Sequence, residues 1–181
     1  MYCGKNRTAL ASQEQIAMAI LRLMESKAYS QISVCELCKE ANVSRQTFYS
    51  LFESKDNVMV FILQERYSYE PSPEDEYLNC MEQLCRSYCR YIVAQRDFIR
   101  CLEENHITYL LCDSFRSALK ECPCFLGNLP EHMRPYAINF LAGGFTSIAQ
   151  TYVQEETEVD EELLFHICLD MFHGRGLPLG E

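Results

Sequence analysis

The sequence contains few glycines and prolines and has no long apolar run. Seven Gly and six Pro in 181 residues argue against collagen-like, low-complexity and turn-dense all-β architectures. The apolar runs fall far short of the roughly 18 residues that a membrane-spanning helix needs, so we expect no transmembrane segment. No apolar stretch follows the amino-terminal residues, so we expect no secretory signal and a cytoplasmic location. No Ser/His/Asp or Cys/His/Asn set and no glycine-rich phosphate loop stands out, so we do not expect an enzyme.

The composition indicates a folded protein with two differently charged parts. The chain is 48% hydrophobic and 23% charged, an ordinary balance for one or two globular domains. The net charge is −10, but residues 1–57 hold seven Lys or Arg against six Asp or Glu, whereas residues 58–181 hold nine against twenty. Exposed charges more than about 8–10 Å apart are largely screened, so an acidic second part does not prevent the first part from contacting DNA.

Cysteine is unusually abundant, with eleven residues. The odd number, the chain length and the expected lack of a signal segment argue against a secreted disulfide framework, so we interpret most of them as reduced, buried thiols. Cys35 and Cys38 have C-x-x-C spacing, but no second pair with zinc spacing follows, and the four His are scattered. We therefore expect no metal and no cofactor. A thiol-based redox or metal sensor is the alternative interpretation.

Apolar residues recur along the chain at the three- and four-residue spacing of amphipathic helices, as Ile16, Ile20 and Leu23 do. No alternating strand pattern and no internal repeat is present in the sequence. The spacing predicts an all-α protein of eight or nine helices. The predicted segments are residues 12–27 (or from Asn6), short helices that begin at Ser33, Ser44 and Ser54, then 75–94, 98–103, 107–121, 133–154 and 160–172, with a linker at 69–73.

Two of the short helices are predicted to form a helix-turn-helix. Each starts with a serine N-cap, Ser33 or Ser44, and only Ala41, Asn42 and Val43 separate the two helices. Ala41 is small enough for the helices to cross, and Asn42 tolerates the left-handed conformation that ends a helix. The second helix has one apolar and one polar face, and a helix fits the major groove, which is about 12 Å wide. The pattern predicts DNA binding; the alternative is a helical hairpin that only packs.

The same segment resembles the signature of the TetR family of transcriptional regulators. The similarity covers residues 7–62 and is strongest in VSRQTFY at 43–49 and in F-x-S-K-D at 52–56. Asn42 replaces the commoner turn glycine, and Ser33 replaces the commoner threonine cap. Farther along, residues 136–145 are similar to the penultimate helix of a subgroup that includes activators of dihydroxyacetone kinase operons.

The resemblance implies a homodimer that binds a palindromic double-stranded DNA operator, and we expect a repressor that responds to a small apolar ligand. It implies a helix-turn-helix domain at residues 1–55 and a helical ligand-binding and dimerisation domain at 56–181. Arg can pair with guanine and Gln with adenine, and Lys is a point charge for phosphate. The positions expected to contact DNA are Ser33, Ser44, Arg45, Gln46, Thr47, Tyr49, Ser50 and Lys55.

The second domain contains an aromatic-rich stripe that has two interpretations. Its side chains either form the core or line an apolar ligand cavity, because the two kinds of position share a composition. The expected cavity residues are Tyr88, Tyr91, Phe98, Tyr109 and Phe115.

The last two predicted helices are expected to pair with their copies as a four-helix bundle across a two-fold axis. Mid-helix Gly143 and Gly144 cost about 1 kcal/mol each relative to Ala, so a close helix approach would explain them. The alternative is packing within one chain. The expected interface residues are Ile138, Leu141, Ala142, Gly143, Phe145, Ile148, Ala149, Tyr152, Phe165, Leu169 and Phe172.

One further alternative concerns the function as a whole. The first domain would have lost DNA specificity, and the acidic second domain would dock a protein partner as a coactivator does. A stable complex with another protein, formed without any preference for an operator, would favour this interpretation.

Overall fold

The computed structural model describes residues 4, 6–67, 78–121, 129–155 and 159–173. Within these ranges the chain has no strand, so the prediction of an all-α fold is confirmed. Short 3₁₀ turns lie at Tyr29–Gln31 and Glu131–Met133. The nine α-helices of the described ranges are α1 (Arg7–Met24), α2 (Val34–Glu40), α3 (Arg45–Leu51), α4 (Lys55–Arg66), α5 (Cys80–Ala94), α6 (Arg96–Glu104), α7 (Tyr109–Glu121), α8 (Arg134–Gln154) and α9 (Glu161–Phe172).

Polar side chains fix where several helices begin. Ser33 and Ser44 accept hydrogen bonds from the backbone amides of Glu36 and Thr47, at 3.2 and 2.9 Å, as the sequence predicts. Asn6 caps helix α1, so this helix begins at the earlier of the two predicted positions. The predicted linker at 69–73 and the first residues of the segment 75–94 lie outside the described residues.

The first compact unit comprises residues 1–66. Helix α1 packs against α2, α3 and α4, and α2 packs against α3. Ile16, Ile20, Leu37, Phe48 and Phe52 are almost completely buried at the centre of this unit. The predicted domain boundary after residue 55 falls at the start of α4. Because α4 packs on α1, the compact unit continues to Arg66.

The second compact unit comprises residues 67–181, in which α8 packs against α6 and α7, and α5 packs against α9. Its core contains stacked and edge-to-face rings: the Tyr88 centroid lies 4.2 Å from that of Phe145 and 5.1 Å from that of Phe115. The buried Tyr88 hydroxyl donates to the Phe145 carbonyl oxygen. Each aromatic pair of this kind contributes about 0.5–1.5 kcal/mol to stability beyond the burial of its surface. These residues of the predicted aromatic stripe therefore form part of the core.

Charged groups join the helices of the second unit. Arg86 on α5 forms two hydrogen bonds with the Glu162 carboxylate, at 2.5 and 3.2 Å, and its guanidinium lies 3.6 Å from the Phe165 ring centroid on α9. Glu103 on α6 accepts hydrogen bonds from Thr108 and from two glutamines of α8. These hydrogen bonds hold the pKa of Glu103 below its ordinary value.

No helix in the described ranges is long and apolar enough to cross a membrane.

Candidate nucleic-acid interface

The turn between α2 and α3 has the geometry that a helix-turn-helix requires. Asn42 has φ of 52°, in the left-handed region that asparagine tolerates better than most residues. The amide of Val43 donates to the Cys38 carbonyl oxygen at 3.0 Å, which satisfies an end group of α2. Ala41 is buried where the helices meet. The turn therefore fixes the direction in which α3 leaves α2.

Helix α3 has one buried and one exposed face. Phe48 and Leu51 are buried in the core of the first unit. The exposed face holds four residues that the sequence predicts to contact DNA: Arg45, Gln46, Tyr49 and Ser50. The fold therefore brings these four to one side of a helix, where a nucleic acid can reach them.

Three other residues that are predicted to contact DNA form hydrogen bonds in the caps of the short helices. Ser33 and Ser44 are exposed, and their hydroxyls accept the capping hydrogen bonds. Thr47 is half-buried, and its hydroxyl lies 2.8 Å from that of Ser44. Both serines remain at the surface, so Ser33 and Ser44 stay predicted contacts to the DNA backbone.

The eighth predicted residue, Lys55, is half-buried and bound to the backbone of the first unit. Its ammonium nitrogen donates to the carbonyl oxygens of Tyr29 and Ile32, at 2.7 and 3.1 Å, and lies 4.2 Å from the Tyr29 ring centroid. Burial lowers the pKa of Lys55. An ammonium has three N–H donors, so these contacts leave one donor for a phosphate. Lys55 therefore has a structural role that the motif did not predict.

Lys39 is a cation that the sequence reasoning did not select. It is exposed in the last turn of α2, and it shares a shallow depression with Arg45 at the start of α3. Two cations along one depression favour a phosphate backbone there. The sequence could have indicated Lys39, because it places a lysine in the last turn of the first helix of the motif. The depression is lined by Cys35, Cys38, Lys39, Asn42, Val43, Ser44 and Arg45.

The five predicted cavity residues do not share one environment. Tyr88, Tyr91 and Phe115 are buried and pack ring against ring. Phe98 is half-buried, and 51% of Tyr109 is exposed. Three of the five are therefore core residues of the second unit, and the ligand cavity remains a prediction.

Most of the predicted dimer residues face the interior of their own chain. Seven are buried there, because they lie on the side of α8 or α9 that packs on α5, α6 or α7. Gly144 serves the same packing, since a Cβ atom at this position would lie 3.0 Å from the Phe172 ring. Gly143, Ile148, Leu169 and Phe172 are only partly buried. The seven are Ile138, Leu141, Ala142, Phe145, Ala149, Tyr152 and Phe165.

A different face of α8 and α9 carries exposed apolar side chains. Tyr136 and Phe140 are 80% and 69% exposed, and a Cβ atom at Gly143 would meet nothing within 4 Å. These three residues share one side of α8, because they are spaced by four and three positions. Leu163 and Met171 are exposed on α9. We call Tyr136, Phe140, Gly143, Leu163 and Met171 the exposed apolar face.

The described cysteines include one close pair. The Cys89 thiol of α5 donates to the Cys168 sulfur of α9 at 3.6 Å, and Cys85 lies one turn earlier on α5. All three are buried, and burial contributes to raising the pKa of Cys85 to about 12. Among the described residues, no group of three His, Cys, Asp or Glu is arranged to hold a metal ion. Cys122 and Cys124 lie outside the described residues.

The fold and this site define a helix-turn-helix protein with a second, all-α unit. Residues 16–60 match the family described as "Bacterial regulatory proteins, tetR family". The chain is 28% identical over 103 residues to the HTH-type dhaKLM operon transcriptional activator DhaS of Lactococcus lactis, with 57% of this chain and 49% of that protein covered. It is 41% identical over 61 residues to the HTH-type transcriptional regulator EthR of Mycolicibacterium smegmatis, with 32% and 28% covered. These alignments span half or less of the curated relatives.

Solved structures show the same fold. A crystal structure from Listeria innocua matches with a TM-score of 0.76 at 16% identity, with 96% of each chain covered. A TetR transcriptional regulator from Streptococcus agalactiae matches with a TM-score of 0.54 at 19% identity, with 91% of this chain and 95% of that chain covered. The family match lies within the first unit, so the helix-turn-helix of this chain is similar to that of the TetR family of bacterial regulatory proteins.

Proposed function

We propose that the protein is a dimeric regulator of transcription that reads a DNA sequence with α3 and is not an enzyme. The observation that carries this proposal is the exposed polar face of a helix whose opposite face is buried in a helix-turn-helix unit. A helix held in this way enters the major groove, where each base pair presents its own pattern of donors and acceptors.

The side chains of the exposed face suit the two tasks of such an interface. The Arg45 guanidinium matches O6 and N7 of guanine, and the Gln46 amide matches N6 and N7 of adenine. Tyr49, half of whose side chain is exposed, and Lys39 suit phosphate oxygens, which position the helix without reading sequence.

The exposed apolar face supports the dimer. Several large apolar side chains exposed on a folded unit favour an interaction site, and a two-fold interface uses the same residues on both copies. A symmetric dimer places two recognition helices on two half-sites, so the operator is palindromic, with half-site centres about 34–36 Å apart.

Regulation is proposed to pass through the second unit. A small apolar ligand that binds one conformation of this unit better than another shifts the population of DNA-competent dimers. Repression is the proposed direction, because a dimer over a promoter excludes polymerase. The DhaS relative is named an activator, so a reporter gene behind the selected operator, with and without the regulator, decides the direction.

Selection from a random-sequence duplex library tests the proposed function. We expect the wild-type chain to enrich a palindromic sequence and to bind it far more tightly than a scrambled duplex. If each subunit contacts about 3–4 phosphates, the slope of log affinity against log salt concentration is about −5 to −7. Failure to enrich any sequence, or an affinity that does not change with salt, contradicts the proposal.

A thiol sensor is a second candidate, because the Cys89–Cys168 contact joins α5 to α9. A hydroperoxide would oxidise one thiol to a sulfenic acid and leave an alcohol, and the second thiol would then displace water to form a disulfide. The raised pKa of Cys89 makes the thiolate rare, so we expect oxidation to be slow at neutral pH and to accelerate as the pH rises.

Mass spectrometry of the peroxide-treated chain tests this candidate. We expect a cross-linked peptide that has lost two hydrogen atoms and contains Cys89 and Cys168. The cross-link is absent from the Cys168→Ser variant and retained in Cys35→Ser, which removes an exposed thiol of the first unit. A wild-type chain with no such peptide, or with unchanged operator affinity once it has formed, excludes the sensor.

A further inference from the structure

A partly buried cluster at the start of α4 holds the backbone that leads into α2. The Lys55 ammonium donates to the carbonyl oxygens of Tyr29 and Ile32, which lie in the 3₁₀ turn and at its end. Ile32 is immediately followed by Ser33, the N-cap of α2. Lys55 therefore fixes the two backbone groups from which the helix-turn-helix begins.

The next residue of α4 holds the same turn by its side chain. The Tyr29 hydroxyl donates to the Asp56 carboxylate at 2.5 Å, and the Tyr29 ring lies below the Lys55 ammonium. Tyr29 and Ile32 are 3% and 2% exposed, so the turn is locked into the core of the first unit. Hydrogen bonds to charged groups contribute more than those between neutral groups, and the burial strengthens them.

The ion pairs of α2 reach a different part of the first unit. Arg22 of α1 pairs with Glu40 at 2.9 Å, with both side chains 40% exposed or more, and Lys27, just after α1, pairs with the half-buried Glu36. Exposed ion pairs hold their partners loosely, because water and salt screen them. The Lys55–Tyr29–Asp56 cluster differs from both pairs because it connects α4 to the backbone that leads into α2.

We propose that Tyr29, Lys55 and Asp56 are positioning residues that set the orientation of α2 and α3 for base readout. The proposal rests on the proposed DNA-binding function and extends it to residues away from the exposed face of α3. Base contacts require side chains held to within about 0.5 Å, so a small rotation of the turn weakens sequence readout. Phosphate contacts tolerate such a rotation better, because they are not specific to one base edge.

Affinities of four chains for two duplexes test the proposal. The duplexes are the sequence enriched by the wild-type chain and a scrambled version of it, each measured over a range of salt concentrations. Tyr29→Phe removes the hydroxyl and keeps the ring. Asp56→Ala removes the acceptor, and Asp56→Asn restores an oxygen that accepts the tyrosine hydroxyl.

We expect Tyr29→Phe and Asp56→Ala to bind the enriched duplex about tenfold more weakly or worse. Binding to the scrambled duplex is expected to stay within about twofold of wild type, and the salt slope to stay unchanged. Asp56→Asn should recover most of the affinity for the enriched duplex. Thermal unfolding checks that each chain is folded at the assay temperature.

The other outcomes overturn the proposal separately from the proposed function. An equal loss on both duplexes with an unchanged slope means that the cluster only stabilises the unit. If affinity falls on both duplexes and the salt slope moves toward zero by about one for each lost contact, the cluster contributes a phosphate contact instead. Variants that bind as wild type does show that the cluster does not position α3. A wild-type chain that enriches no sequence removes the DNA-binding function itself, whatever the variants do.

Discussion

We expect the Phe140→Asp chain to be monomeric at concentrations at which the wild-type chain is a dimer. Phe140 is 69% exposed in the single chain, so the proposed dimer covers most of its ring. An aspartate in the centre of that interface would be a buried charge without a partner, and each dimer would contain two of them. The dimer dissociation constant should rise at least about a hundredfold, which corresponds to about 3 kcal/mol. Sedimentation velocity over a concentration series measures it.

Two further variants make this result specific. Met18→Asp introduces the same charge at another apolar residue, 56% exposed in the first unit, and should leave the dimer intact. Gly143→Leu adds a side chain where the single chain has open space, so the unit should fold normally while the second copy is held away. This control matters because the Phe140 ring also contacts Phe172, at 6.2 Å between centroids. A dimer that survives both Phe140→Asp and Gly143→Leu shows that the exposed apolar face is not its interface.

The Gln46→Ala chain is expected to lose affinity for the enriched duplex by about thirtyfold or more. A bidentate contact to a base is worth about 1–3 kcal/mol, and a dimer makes it twice. The glutamine amide contributes no phosphate charge, so binding to a scrambled duplex and the salt slope should stay as in wild type. Repeating the sequence selection with the variant should show relaxed preference at one base pair in each half-site.

Gln15→Ala is the matched control. Gln15 is another exposed glutamine of the first unit, and it lies on α1 rather than on α3. Its replacement should leave both affinities unchanged. Equal losses from Gln15→Ala and Gln46→Ala, or no loss from either, exclude a base contact by Gln46.

Local chemistry explains why the helix-turn-helix could be predicted from sequence. The capping serines, the asparagine with positive φ and the apolar positions of α3 each act on residues within a turn of themselves. A short stretch of sequence therefore contains all the residues that produce each of these features. The exposed face of α3 follows from the same spacing, since burying Phe48 and Leu51 leaves Arg45, Gln46, Tyr49 and Ser50 outside.

Residues whose roles depend on distant partners were harder to predict. Lys55 has the position of a phosphate contact in the motif, but its acceptors lie more than twenty residues earlier. The two adjacent glycines of α8 look equivalent in sequence, yet Gly144 contacts Phe172 of α9 and Gly143 faces open space. Periodicity cannot separate these cases, because it shows that a residue is on an apolar or small face without showing what covers that face.

The sequence by itself determined the all-α class, the helix-turn-helix and the resemblance of that segment to the TetR family, because helix caps, turn residues and helical spacing are short-range properties of the chain. Only the tertiary structure decided which apolar face of α8 is core and which is exposed, and that Lys55 holds the turn before α2. Both depend on which helices pack together, and packing joins residues that lie far apart in the sequence.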